Sequence, residues 1–539
     1  MSLNFKKTLD SLSTIVNRFQ SDDNAVKFGL LKSISQTKLP LTESLIRYNE
    51  LLLFICAYPC DERTLSLAEK ELKRIALFLK RQKKLPAGIF NNSGLPYTNV
   101  VTGFSHDCVR WLLNHPDVNV KLSSFENPSF DLNEVLRLTL PSLEKSETTA
   151  GFSNFELLDA LLVKEKDRLN FLISELSKLN YIPYIKDHLF EGLGSYIQIT
   201  PKNNSFSKSY NRIKVDNFYY HDRIIKQFDH ESLINTLLPK SKIRSRKDID
   251  DAILVVKNSM AIYERETDPV TYLDERSFSL YDLERGITVA IYGMLPERQL
   301  PLESYVGFTL FKNGFPAAYG GAWVFGEYAN FGINIFESFR GGESGYMMCQ
   351  LLRVYKQIFN ISFFEVEAYQ FGLDNPDGIN TGAFWFYYRY GFRPIDSKLK
   401  KIAADEYQKI SLRKKYRTPK KILLQFTESN IALRFGKGKI TSLYDISGKV
   451  KRLIQKQYGG NRILAEKDSV MRFRIKTLWI KTLSKDQEQV MKEVALWAEA
   501  MNVKDAYKLN LLCQMIRIKP IDLYKYQQLL IDFFRDESK

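Results

Sequence analysis

Apolar positions recur every three or four residues through most of residues 1–190, which predicts a mainly helical N-terminal region. The spacing is clearest at 42–58 and 61–84, and Thr42 and Asp61 stand where N-caps belong. Pro, Gly and Asn interrupt the pattern at 85–103, and helical spacing returns at 105–115, 131–140 and 154–179. Residues 200–245 are irregular and polar and read as a long surface loop or linker. They end in a basic run at 239–248, where a helix opens over 246–266. From residue 285 the period changes to alternation. Segments 286–294, 304–325 and 329–339 read as strands, with a hairpin signal at Asn313-Gly314. A helix (344–358), a strand (361–371) and a second helix (382–390) follow. Basic helical sequence, a strand-like stretch at 430–435 and a helical end complete the chain. This order predicts three parts: a mainly helical domain over 1–240, a mixed α/β domain over 241–440 and a helical region over 441–539.

With 539 residues, 44% of them hydrophobic, the chain can bury sizeable cores without disulfide support. Five scattered cysteines, Cys56, Cys60, Cys108, Cys349 and Cys513, argue for free thiols in a reducing compartment. No apolar run reaches membrane-spanning length and the first residues lack an apolar signal core, so a cytoplasmic location is expected. None of the five histidines has the spacing of metal ligands with a third partner nearby, and no metal is expected. The net charge of +16 favours a polyanionic partner: nucleic acid, a membrane surface or a phosphorylated cofactor. The basic run 413–421 could contact phosphates, but a solvated surface is the commoner fate of such runs.

Two stretches carry candidate chemistry. In the first, a strand runs into Arg340-Gly341-Gly342-Glu343-Ser344-Gly345 and a helix starts immediately after. Glycines at such a turn let backbone N–H groups converge on an anion, and the helix N-terminus adds unpaired donors and a positive dipole. Arg340 contributes a cation with a planar donor fork. The second stretch, NTGAFWFYYRYGFRP at 380–394, crowds aromatic rings before Gly391-Phe392. On a single helix Asn380, Ala383 and Tyr387 would share a face, Ala383 would permit close approach, and Gly391 would end the helix. Tyr387 could then pack as a ring while offering its hydroxyl to a pocket.

Together these parts resemble the GNAT-type N-acetyltransferase superfamily, over roughly residues 246–394 with the 430–435 strand as an extension. The resemblance rests on the hairpin and strand before the turn, the Arg/Gly turn opening a helix, and the Asn380…Ala383…Phe386-Tyr387…Gly391-Phe392 skeleton. It implies an acyl-CoA-dependent N-acyltransferase that takes acetyl-CoA or another acyl-CoA. Two parallel strands, 329–339 and 361–371, would splay to admit the pantetheine arm. The pyrophosphate would lie on Arg340, Gly341, Gly342, Ser344 and Gly345, with Asn380, Ala383 and Phe386 completing the cofactor contacts. An amine would attack the thioester, and Tyr387 would protonate the leaving thiolate. The acceptor would be a protein, a peptide-like molecule or a small amine.

Candidate bases for the amine are Glu365 and Glu367, on one face of a strand expected to be largely buried, and Glu337 at the end of the preceding strand. Two departures from the family pattern stand out. Glu343 replaces the middle glycine of the turn, and its carboxylate would repel pyrophosphate unless it points away. Residues 371–379 also lengthen the connection into Asn380. The alternative expectation is a GNAT-like domain that has lost CoA binding and serves as a binding module or scaffold. A basic nucleic-acid-binding protein is the third reading.

Overall fold

The alternating segments after residue 279 form one eight-stranded sheet in the computed structural model, which describes residues 2–240, 242–413, 415–436 and 440–535. Ser241 and Lys414, which belong to the two basic runs, lie outside the described residues. The protein is mixed α/β, with its large sheet in the central region and helical flanks.

Packing divides the chain into two units. The first comprises Met1–Ile224, Arg246–Thr271 and Lys312–Pro316. It is not purely helical. β1 (Val100–Gly103), β2 (Val118–Phe125) and β3 (Ser195–Pro201) form an antiparallel sheet in the order β1-β3-β2. Around it close the helices His106–Leu113 and Arg168–Ser177, whose Val109, Leu112, Leu172 and Leu176 share a core with Ile197 and Ile199 of β3. The helix expected over 154–179 is interrupted, because Leu162 takes a left-handed φ of 57° between Asn154–Ala160 and Arg168–Ser177. Asp61 caps its helix by accepting from the Thr64 N–H, whereas Thr42 makes no side-chain cap bond. The helix Arg246–Ile262 belongs to this unit, since Ala261 and Ile262 enter the same core. The boundary expected near residue 240 thus falls within Ile225–Ser245, a segment grouped with the second unit.

The second unit comprises Ile225–Ser245, Tyr272–Phe311 and Ala317–Lys539. Its strands are β4 (Ser279–Leu283), β5 (Ile287–Tyr292), β6 (Ser304–Lys312), β7 (Phe315–Phe325), β8 (Tyr328–Ile335), β9 (Phe363–Val366), β10 (Arg393–Pro394) and β11 (Ile431–Arg434). They lie in the order β10-β11-β9-β8-β7-β6-β5-β4. Asn313 and Gly314 join β6 to β7 with φ of 45° and 86°, the left-handed pair that a two-residue hairpin turn requires. The helix Ser344–Phe359 packs on the sheet through Tyr355, whose ring meets Phe308 and Phe331 edge-on and whose hydroxyl donates to Val306 O at 2.7 Å.

The C-terminal helices share this unit. Trp497, Phe533, Leu512 and Met515 form one core with Leu302 and Phe325, so 441–539 is not a separate module. Lys519 closes the helix Ala506–Ile518 and lies buried. Its Nζ donates to Glu303 O at 2.8 Å and to Ser304 Oγ at 2.5 Å, beside the Tyr526 ring. Among the described residues no helix is long and apolar enough to cross a membrane.

Burial lowers the Lys519 ammonium to about 7, against the pull of Glu303 in the other direction. Above that pH the folded chain holds a neutral amine, while the unfolded chain stays protonated up to the ordinary value of 10.5. The unfolded state therefore binds the extra proton in this window, and stability gained from this group rises with pH between the two values and is constant below the lower one. Urea unfolding across pH 6–10 (about) should show wild type gaining stability above neutrality relative to Lys519→Met; parallel profiles would refute this.

Candidate active site

β8 and β9 are parallel neighbours that pair only at Tyr328↔Phe363, Ala329↔Phe364 and Asn330↔Glu365. β8 then continues to Ile335, still paired with β7, while β9 stops at Val366 and the chain coils into a 3-10 turn, Ala368–Phe371. The β9-facing edge of residues 331–335 is left without a strand partner. Asn430 holds the end of β9 away: its Oδ1 accepts from Ala368 N at 3.1 Å and its Nδ2 donates to Glu365 Oε1 at 2.6 Å.

Polar groups gather where the two strands part. Asn330 Nδ2 donates to Glu367 Oε1 at 2.6 Å, and Tyr328 Oη donates to Glu365 Oε2 at 3.1 Å. The Gln370 amide lies over Gly332, 3.0 Å from where a Cβ would stand. Burial, with the Glu365 carboxylate second, pushes the Tyr328 phenol well up. Neither acid stands on a buried strand face: Glu365 lies in β9 between buried neighbours, and Glu367 lies just past the strand's end. Phe364 and Val366 take the buried face, Glu365 is half-buried and Glu367 exposed. Alternation set this outcome, since the apolar residues claimed the helix-covered side. Glu337 is not at a strand end. It stands in the 3-10 turn Glu337–Phe339 beyond β8, exposed, with Arg340 Nη1 3.9 Å away.

Beyond that turn the chain enters the helix Ser344–Phe359. Arg340 folds back, donating from Nε to Ile335 O at 3.2 Å, and its head remains largely in solvent. The N–H groups of Gly341, Ser344, Gly345 and Tyr346 meet no acceptor among the described residues; the first intrahelical bond is Met347 N–H to Glu343 O. Glu343 points inward. Its side chain is fully buried, and Oε1 accepts from Arg285 Nη2 (2.7 Å), Arg285 Nε (2.9 Å) and Ile225 N (3.1 Å). The carboxylate is thus neutralised by Arg285 and held by the Ile225 N–H. Gly345 has a packing duty as well: a Cβ there would stand 1.8 Å from Tyr390 Oη.

The aromatic stretch divides among several neighbours. Phe384, Trp385 and Tyr388 join Phe426 and Tyr407. Phe386 and Tyr390 meet each other, and Tyr390 stacks on Phe228. Tyr387 lies between Phe386 and Phe392, buried, and its hydroxyl has no hydrogen-bond partner among the described residues. Burial raises its pKa well above the ordinary phenol value, so the hydroxyl keeps its proton at neutral pH. Gly391, at φ 94°, ends the helix Ala383–Arg389. The single face expected for Asn380, Ala383 and Tyr387 is not formed. Gly382, at φ 67°, breaks the chain between Pro376–Thr381 and Ala383–Arg389, and Asn380 is exposed on the first of these helices. Ala383 and Phe386 are half-buried on the second.

Sequence reasoning missed Tyr328, Asn330, Gln370, Asn430 and Arg285. The even-numbered polar positions of β8 carried a readable signal, being one face of a strand beside a suspected slot. Arg285 carried none, because 58 residues separate it from Glu343. Among the described residues no group of three or more His, Cys, Asp or Glu side chains is placed to hold a metal ion. Comparison of the chain with family models, with curated proteins and with solved structures gives no match.

Replacing Asn430 with Ala removes both bonds that hold the end of β9. It should cost about 1–3 kcal/mol in chemical denaturation, the usual effect of orphaning a buried donor and a charge-assisted bond. A change below about 0.5 kcal/mol would mean that Asn430 does not restrain β9.

Proposed function

We propose that the protein is an acyl-CoA-dependent N-acyltransferase that moves an acetyl or other acyl group from CoA to an amine. The observation that carries the reading is the early end of the β8–β9 ladder directly before a turn with open amides, the acid of that turn being withdrawn onto Arg285. The free edge of β8 offers backbone groups to a pantetheine arm, and the amides of Gly341, Ser344 and Gly345, with Arg340 beside them, offer a seat for its pyrophosphate. In this reading Tyr387 donates its proton to the departing thiolate, which is otherwise a poor leaving group. Glu365 or Glu367, held by neutral donors, takes a proton from the acceptor's ammonium, directly or through water, and the amine so freed attacks the thioester. The acceptor is an amine on a protein, a peptide-like molecule or a small compound. Five free thiols fit a reducing compartment such as the cytoplasm.

Two contacts favour a second reading. Gln370 over Gly332 and Tyr390 over Gly345 fill space at the slot and at the turn with the protein's own side chains. If they stay in place when CoA is offered, the domain is a scaffold. Acetyl-CoA should raise the melting temperature by several degrees, in line with binding at about 100 times Kd. Tyr387→Phe should bind acetyl-CoA as wild type does and transfer to amines about a hundredfold more slowly. Absence of any thermal shift favours the scaffold; an unimpaired Tyr387→Phe removes that residue from the mechanism.

A further inference from the structure

The helix Arg462–Thr477 enters the C-terminal core by one side, where Ala465, Ser469 and Phe473 are buried. Its opposite side is also apolar, and it is exposed: Ile463, Leu464, Met471 and Ile475 stand there. Met471, Ile475 and Leu478 follow one another at helical spacing, and Leu464 lies two turns before Met471. The four share one stripe about 20 Å long. The stripe does not fade where the helix ends. Trp479 turns into the core, its ring 4.6 Å from the Arg517 guanidinium and its Nε1 donating to Lys481 O at 2.9 Å. Its two neighbours, Leu478 and Ile480, are 84% and 93% exposed. The buried indole fixes the turn and holds two aliphatic chains out in water. Six exposed large apolar side chains thus fall between Ile463 and Ile480, a concentration unlike the single scattered ones of a solvated surface.

Charge gives the partner its chemistry. Residues 462–481 carry six Lys or Arg and two acids. Both acids are taken within the protein, Glu466 by Arg462 at 2.8 Å and Asp468 by Arg472 at 3.2 Å. Arg462, Arg472 and Lys476 also reach Glu493 or Glu499 of the helix Lys485–Ala500. Lys467, Arg474 and Lys481 form no ion pair among the described residues. Lys467 lies one turn from Leu464 and Met471, Arg474 lies one turn from Met471 and Leu478, and Lys481 follows Ile480. The unpaired charges along the stripe are therefore all positive. We propose that this face is a peripheral docking site for a lipid bilayer rich in anionic headgroups. The aliphatic chains enter the boundary between headgroups and acyl chains, and the cations settle on lipid phosphates. Protein partners are held mainly by aromatic and Arg anchors in closed pockets, and both aromatic residues of this segment, Phe473 and Trp479, face the core instead. Nucleic acid would engage the cations and leave the aliphatic chains in water. The site uses none of the acyltransferase chemistry and stands independently of it.

The test is sedimentation of the full chain with vesicles of phosphatidylcholine alone or mixed equally with phosphatidylglycerol. The mixed vesicles should carry the protein down at least about tenfold more strongly than the neutral ones, and added salt should weaken the binding. Leu478→Ser/Ile480→Ser should weaken it about tenfold or more, and Lys467→Gln/Lys481→Gln by a similar factor. All four side chains are exposed, so both variants should melt as wild type does. Ile475→Ser repeats the apolar arm with a smaller effect if the first variant does not fold. A wild-type chain that does not sediment with the mixed vesicles, equal binding to neutral vesicles, or folded variants that bind as wild type does overturns the inference. A dimer that Leu478→Ser/Ile480→Ser dissociates also overturns it and assigns the face to a second copy of the chain. Loss of RNA affinity in Lys467→Gln/Lys481→Gln with vesicle binding unchanged overturns it in favour of nucleic acid.

Discussion

The candidate site depends on β8 and β9 ceasing to pair after Asn330 and Glu365. Parallel strands in the interior of a sheet usually satisfy their backbone groups along their whole length. Here β9 is too short to do so, and the reason is local. Glu367 opens a 3-10 turn, and Asn430 ties that turn and the Glu365 carboxylate to the approach of β11. The break leaves residues 331–335 of β8 without a strand partner on that edge, where the Gln370 amide lies over Gly332. Phe331, packed against Phe308, Tyr355 and Phe364, anchors β8.

Electrostatics at the turn follow from the same economy of placement. A carboxylate on the rim of an anion seat defeats it; one withdrawn into the protein needs a cation and hydrogen bonds to be tolerated. Arg285 supplies both, and Arg353, itself wholly buried, repeats the arrangement further along the helix with Glu284 and the carbonyls of Thr236 and Leu237. The segment after Ile225 therefore does more than link. It donates to Glu343 at its start, stacks Phe228 on Tyr390 and accepts from Arg353 near its end.

Where side chains followed a short period, their structure was legible beforehand. The 304–325 hairpin, the helix from Ser344 and the Gly391 stop all derive from neighbours within a few residues. β2 carries the same kind of signal, since Val118, Val120 and Leu122 alternate with Asn119 and Lys121, but it is flanked on both sides by helical spacing. Two features were not. Gly382 looked compatible with one continuous helix, and only its left-handed φ separates Asn380 from Ala383. Glu343 looked like a defect in the turn because its cancelling charge arrives from another strand pair.

The order in which the chain visits its two packed units carries a further consequence. It passes from one to the other after Ile224, Ser245, Thr271, Phe311 and Pro316. Neither unit is a contiguous stretch of polypeptide, so no single cut releases one intact. A fragment begun at residue 241 would lack Ile225, Phe228 and the carbonyls of Thr236 and Leu237, and would leave the buried Arg353 guanidinium without two of its acceptors. Folding and inheritance of the two halves are thereby tied together: a gene rearrangement that moved the sheet-bearing half to a new protein would have to carry interspersed pieces of the other half with it.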